Sequence, residues 1–167
     1  MIWLLACVGD EATDTGTPPD SDPQTVDSSV DPPFLADHLV INEIVAQGTE
    51  GDWIELYNPT AEAIDLSTWE ITDDAANNAL PWRLPEDIAI DAGGYFLIWC
   101  DDLAEGVHAD FQLSPGEHLT LYSEVGQRID EVEVPVLEAD VASARVPDAW
   151  STWEEQDPTP ETTNGGG

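Results

Sequence analysis

The sequence has no lysine. Its cations are three arginines, Arg83, Arg128 and Arg145, set against 36 aspartates and glutamates for a formal net charge of −33. A surface of that sign repels phosphate backbones and anionic lipid, so nucleic acid is not expected as a partner. It also repels itself, and screening by salt should favour the compact state. Two cysteines allow at most one disulfide, Cys7 to Cys100. That pairing is not expected, because Cys100 ends an apolar run and Cys7 lies across a long tether. No apolar run approaches the ~20 residues of a membrane-spanning helix, and no stretch repeats its apolar residues at the helical period. Familiar catalytic signatures are missing too. There is no Gly-Lys-Ser loop, no Gly-x-Ser-x-Gly elbow and no His-x-x-x-His pair among His38, His108 and His118.

What is present is a chain of short β-rich runs between turn residues. The stretch from Leu39 to Asn58 organises the rest. Leu39, Val40, Ile41, Ile44 and Val45 are apolar and mostly β-branched, which suits a pleated, half-buried surface. Gln47-Gly48-Thr49-Glu50-Gly51 supplies a return, and Asp52 to Tyr57 a second run. There Ile54 and Leu56 fall on one face, and Trp53, Glu55 and Tyr57 on the other. Asn58-Pro59 stops the strand, since proline has no N–H for the ladder. Further strands are expected over Ile64–Ile71, Leu80–Leu84, Ile88–Ile90, Tyr95–Cys100, Ala109–Leu113, His118–Ser123 and Arg128–Val134. Tyr95–Cys100, apolar throughout, reads as a fully buried central strand. Residues 135–148 read as irregular. Many short strands at regular spacing predict an all-β sandwich.

The residues also carry a resemblance. Ile41-Asn42-Glu43 with Asp52-Trp53-Ile54-Glu55-Leu56-Tyr57-Asn58-Pro59 resembles the opening of the lamin tail domain in its bacterial form. The likeness continues through Asp65-Leu66-Ser67-Thr68-Trp69, Gly93-Gly94-Tyr95-Phe96, Leu113-Ser114-Pro115-Gly116-Glu117 and Gly126-Gln127-Arg128-Ile129-Asp130. It closes with Arg145-Val146-Pro147-Asp148 and Pro158-Thr159-Pro160, near Asn164. Departures are Thr68, where glycine is common, and Glu161-Thr162-Thr163, in place of a small Gly-Ala turn. The resemblance implies an immunoglobulin-like β-sandwich, and with no catalytic signature found a non-enzymatic module is expected.

The N-terminal residues suggest an address. Leu4-Leu5-Ala6-Cys7 resembles a lipobox, with Cys7 as the lipidated residue, although the basic n-region and longer apolar run of a secretory signal do not accompany it. Residues 8–35 are rich in Asp, Thr, Ser and Pro, a composition expected to form a disordered, extended acidic linker. The expected organisation is thus a signal remnant over 1–7, the linker over 8–35, the sandwich over 36–164 and a frayed tail over 165–167. The polar residues from Asp157 onward are also expected to fray. An extracytoplasmic, lipid-anchored module is expected, with an envelope protein or polysaccharide as partner.

Candidate sites are few. Hard oxygen ligands for Ca²⁺ gather in two loops, Asp73, Asp74, Asn77 and Asn78, and Asp101, Asp102 and Glu105. Neither has the spacing of a known calcium loop, and solvated acidic loops are the plainer reading. Ca²⁺ is therefore the one cofactor considered, and an adhesion module that depends on it the alternative function. Glu43 and Glu55 could face each other across the hairpin as a glycosidase pair would. Strand-edge hydrogen bonding is the simpler role. Trp82, Trp150 and Trp153 could form an exposed aromatic patch for sugar or protein, against simple packing over the sandwich edge.

Overall fold

A computed structural model describes residues 34–73 and 80–165. Among these residues there are twelve strands and no helix, and hence no helix long and apolar enough to cross a membrane. The strands are β1 (Val40–Val45), β2 (Trp53–Tyr57), β3 (Ile64–Asp65), β4 (Glu70–Thr72), β5 (Trp82–Arg83) and β6 (Ala89–Ile90). They continue with β7 (Tyr95–Cys100), β8 (His108–Ala109), β9 (His118–Tyr122), β10 (Arg128–Glu133), β11 (Ala142–Arg145) and β12 (Trp153–Gln156). One sheet has six strands in the order β12-β11-β1-β2-β7-β8, a second has four in the order β10-β9-β4-β5, and β3 pairs with β6.

The two larger sheets bury one face each against the other. Ile41, Ile44, Ile54, Leu56 and Ile98 from the first meet Ile71, Trp82, Leu119 and Leu121 from the second in one apolar cluster. The hairpin of β1 and β2 is built as its residues suggest. Gly51 has φ of +125°, which side chains rarely tolerate, and a Cβ on Gly48 would stand 2.2 Å from the Gly51 carbonyl oxygen.

β1 carries one irregularity that sets the whole outer face. Ile41 pairs with Leu56 and Glu43 with Glu55, so Asn42 is an extra residue, a β-bulge. Leu39 and Ile41 point inward before it, and Ile44 and Ala46 after it. A strict two-residue period would have turned one pair outward; the bulge lets both face the core and sends Asn42 and Glu43 together to the other side.

Several expectations change. The Tyr95–Cys100 run is not buried on both faces. Ile98 and Cys100 are fully buried, while Tyr95, Phe96, Leu97 and Trp99 are half-buried, because only two-residue β8 lies beyond β7 and its outer face carries the aromatics. Of Ala109–Leu113 only Ala109 is in a strand, β8, which runs parallel to β7; Gln112 makes a lone bridge to Asp101. Residues 135–148 are not wholly irregular, since β11 inserts between β1 and β12 with all four residues buried. The segment from Asp157 to Asn164 does not fray: its residues hydrogen-bond into the sheet, and Asn164 is buried. Cys7, Asp74, Asn77 and Asn78, with the linker up to residue 33, lie outside the described residues. Phe34 and Leu35 are within them and pair with Ser151 and Trp150.

Candidate functional site

The outer face of the six-stranded sheet concentrates the chemistry. Glu43 on β1 and Glu55 on β2 are direct cross-strand neighbours, and both are 0 % exposed. What covers them is the chain's own end. Thr159 donates its N–H to Glu43 Oε1 at 2.8 Å, and its hydroxyl lies 3.1 Å from Oε2. Glu161 donates its N–H to Glu55 Oε2. Residues 157–165 thus form a strap that binds the carboxylates through the backbone amides of Thr159 and Glu161 and the Thr159 hydroxyl.

A second layer holds the strap. Asn164 donates from Nδ2 to the carbonyls of Asn42 and Arg145, at 3.3 and 3.1 Å. Asp148 accepts from Asn42 Nδ2 at 2.9 Å, from the Asn164 N–H at 3.1 Å and from the Tyr95 hydroxyl at 2.7 Å. The bulge is what makes these bonds necessary, because it takes Asn42 out of the ladder. The peptide groups of Ile41 are met in the same way. Asp130 of β10 accepts the Ile41 N–H at 2.9 Å, and Arg145 Nε donates to the Ile41 carbonyl at 2.8 Å. Arg145 and Asp130 also pair at 3.1 Å, which ties the two sheets together, and the guanidinium lies 4.8 Å over the Trp153 ring.

Electrostatics in this centre follow from burial. Loss of water pushes the Glu55 carboxyl up to about 8, opposed by the Glu161 N–H and Asn42 and reinforced by Glu43 and Asp148. Glu43 is raised as well, chiefly by burial, against the two bonds from Thr159. Glu55 therefore holds a proton at neutral pH. Its Oε2 is engaged by Glu161, and Oε1 is buried without a hydrogen-bond partner. Two carboxyls side by side, both raised, resemble an acid–base pair, but here both are buried away from solvent. Cys100 is a free thiol, 1 % exposed and raised well above its ordinary value by burial and then by Asp52 and Asp101, so it is an inert small hydrophobe.

Beside the strap lies a groove of about 510 Å³, between Trp53 and Trp99 on one side and Pro158 and Pro160 on the other. Trp99 stacks on His108, with ring centres 6.3 Å apart, and His108 Nδ1 lies 2.7 Å from Asp101 Oδ2. Asp140 stands at the rim, bound by the Thr49 N–H at 2.6 Å and the Thr49 hydroxyl at 2.7 Å, and those bonds hold its carboxyl below its ordinary value.

The sequence candidates are distributed differently. Glu43 and Glu55 do face each other. Trp82 is buried in the core at 9 % exposure and offers no exposed ring. Trp153 is half-buried beside Arg145, and Trp150 is half-buried opposite Leu35. An exposed patch of those three is therefore not formed. Asp101 is paired with His108, and among the described residues no three acidic, His or Cys side chains gather as a metal site, so Asp101, Asp102 and Glu105 do not come together as one. Asp73 lies at the edge of the described residues. The groove at Trp53 and Trp99 was missed because both tryptophans sit in strands. Its only sequence signal was Pro158-Thr159-Pro160, two prolines in an otherwise polar segment.

Two facing sheets, a hairpin-based outer face and no helix among the described residues define an immunoglobulin-like β-sandwich module. The family model described as Lamin Tail Domain matches residues 33–137, and the chain belongs to that family. The matched span ends before β11, β12 and the strap, which complete the six-stranded sheet and close its outer face. Among curated proteins the chain finds no match.

Proposed function

We propose that the protein is a non-catalytic binding module of the lamin tail domain family. It is displayed outside the cytoplasm by a lipid on Cys7 and the acidic segment 8–35, and it binds an envelope protein or polysaccharide. The observation that carries the non-catalytic part is the closure of the carboxylate pair. Glu43 and Glu55 are the carboxyl pair that faces across the hairpin, and they are 0 % exposed beneath the amides of Thr159 and Glu161. A glycosidase pair stands in a cleft that admits a sugar ring and a water; this pair has neither. The binding part is supported by the open groove of about 510 Å³ beside the strap.

The test is a retention experiment with the immobilised protein, passing detergent-solubilised envelope and purified surface polysaccharide over it in Ca²⁺ and then in chelator. Saturable retention of one component, unchanged by chelator and by Glu55→Gln, is the expected result. Loss of retention with chelator would transfer the function to Ca²⁺-dependent adhesion. Glycan hydrolysis abolished by Glu55→Gln would make the protein an enzyme. The anchor has its own measurement: labelled palmitate should enter the full-length product and be absent from Cys7→Ser.

A further inference from the structure

The groove between Trp53, Trp99, Pro158 and Pro160 is where we propose that a lysine or arginine side chain of a partner protein docks. The inference rests on the binding reading above and names its chemistry. Shape decides first between occupants. Trp53 is 7 % exposed and Trp99 half-buried, so neither offers the broad open ring on which a pyranose lies flat. What remains is an open groove lined by tryptophan and proline side chains, apolar surface along which an aliphatic stem with a polar head can lie.

Charge decides the head. A tryptophan ring attracts cations, and half-buried Trp99 keeps surface for one; the groove lining carries Glu50 and Asp140 but no cation. Asp140 is held in place by two bonds from Thr49, so its carboxylate needs no reorganisation to meet a ligand. The chain cannot supply the cation from its described arginines. Arg83 pairs with Glu70, Arg128 with Glu131 and Arg145 with Asp130. The last pair shows that this protein already uses the chemistry internally: the Arg145 guanidinium lies over Trp153 while a carboxylate holds its edge. The groove repeats those two elements, a tryptophan wall and a fixed carboxylate, on a surface open to a partner. A net charge of −33 would raise the local concentration of basic segments and speed their approach.

The test uses the full chain in 0.5 M NaCl, where the screening length falls to about 4 Å and diffuse attraction to the acidic surface is suppressed. The probes are an acetylated hexa-arginine amide, hexalysine, and chitohexaose as a neutral sugar. The readouts are calorimetric affinity and the indole N–H resonances of Trp53 and Trp99. Saturable peptide binding with shifts at those two indoles is expected. It should weaken about tenfold in Trp99→Leu and about threefold in Glu50→Gln, and be unchanged in Glu86→Gln, which removes the same charge outside the groove. Glu50 is exposed, so its variant keeps the test valid if Trp99→Leu disturbs the sheet. Equal weakening in Glu50→Gln and Glu86→Gln, no peptide binding, or indole shifts with the sugar alone would each overturn the assignment. If an envelope component is still retained when the peptides fail, the binding reading stands and only the cationic assignment falls.

Discussion

The six-stranded sheet has fully buried residues on both faces, covered by opposite means. On the inner face Ile41, Ile44, Ile54, Leu56 and Ile98 are 0 % exposed, covered by a second sheet of apolar side chains. On the outer face Asn42, Glu43 and Glu55 are also 0 % exposed, covered by a polar strap from the end of the chain. Contacts of the first kind have no preferred direction, so the inner face should accept other apolar residues of similar volume. Contacts of the second kind are directional, and each buried donor or acceptor depends on one partner. Burial alone therefore does not tell how a face will respond to substitution or to pH. The chemistry of what covers it does.

The largest expected effect lies on the inner face. Ile54→Ala should cost about 3–4 kcal/mol in urea unfolding, through lost burial and the cavity it leaves, and the loss should be the same at pH 5 and pH 9. Somewhat smaller is the effect at the junction of the sheets. Arg145→Ala would strip Asp130, 12 % exposed in the intact protein, of its cation and free the Ile41 carbonyl, and should cost about 3 kcal/mol. If Arg145→Ala melted like wild type, the ion pair would be ornamental and the sheets would be held by apolar contact alone.

These two regions also differ in how far the sequence disclosed them. The inner face was legible, because Ile54 and Leu56 alternate with Trp53, Glu55 and Tyr57 as a half-buried strand must. The facing of Glu43 and Glu55 was legible too, from the hairpin. Less so was the bulge, although Asn42-Glu43 interrupts the apolar alternation at the point where its phase slips. β11 was hidden because Ala142-Ser143-Ala144-Arg145 has little β preference. Small residues are needed there, since Ala142 packs against Val45 and Trp53, and Ala144 stands opposite Glu43. The strap was hidden for a deeper reason. Its side chains are polar and read as a tail, while two of the three bonds to the carboxylates come from the N–H of Thr159 and Glu161, which composition does not reveal.

The strap can be loosened without touching the carboxylates. Asn164→Ala removes two donors from the buried carbonyls of Asn42 and Arg145 and should cost about 2 kcal/mol. Amide exchange at Thr159 and Glu161 should accelerate in that variant while exchange at Ile54 and Leu56 follows only the global change. Equal acceleration everywhere would mean that the strap and the core unfold as one, and the two faces would not be separable.

The smallest effect near pH 5 belongs to Glu55→Gln, and it separates the faces most sharply. An amide keeps an acceptor for the Glu161 N–H and resembles the protonated acid already present. Wild type and variant should therefore differ by less than ~1 kcal/mol near pH 5. The difference must then grow with pH. The Glu55 carboxyl sits near 8 when folded against an ordinary 4.5, so below 4.5 both states hold the proton and its burial carries no charge. Between 4.5 and 8 the unfolded chain releases the proton while the folded one keeps it, and stability falls as pH rises, reaching its full loss above 8. Glu43, raised in the same direction, adds to that slope, so the variant should keep part of it. At pH 9 Glu55→Gln should be more stable than wild type by ~1–3 kcal/mol in urea unfolding. A wild-type stability flat from pH 5 to 9 would place an ionised Glu55 beneath the strap. The outer face would then be held by charge-assisted bonds rather than by a neutral acid.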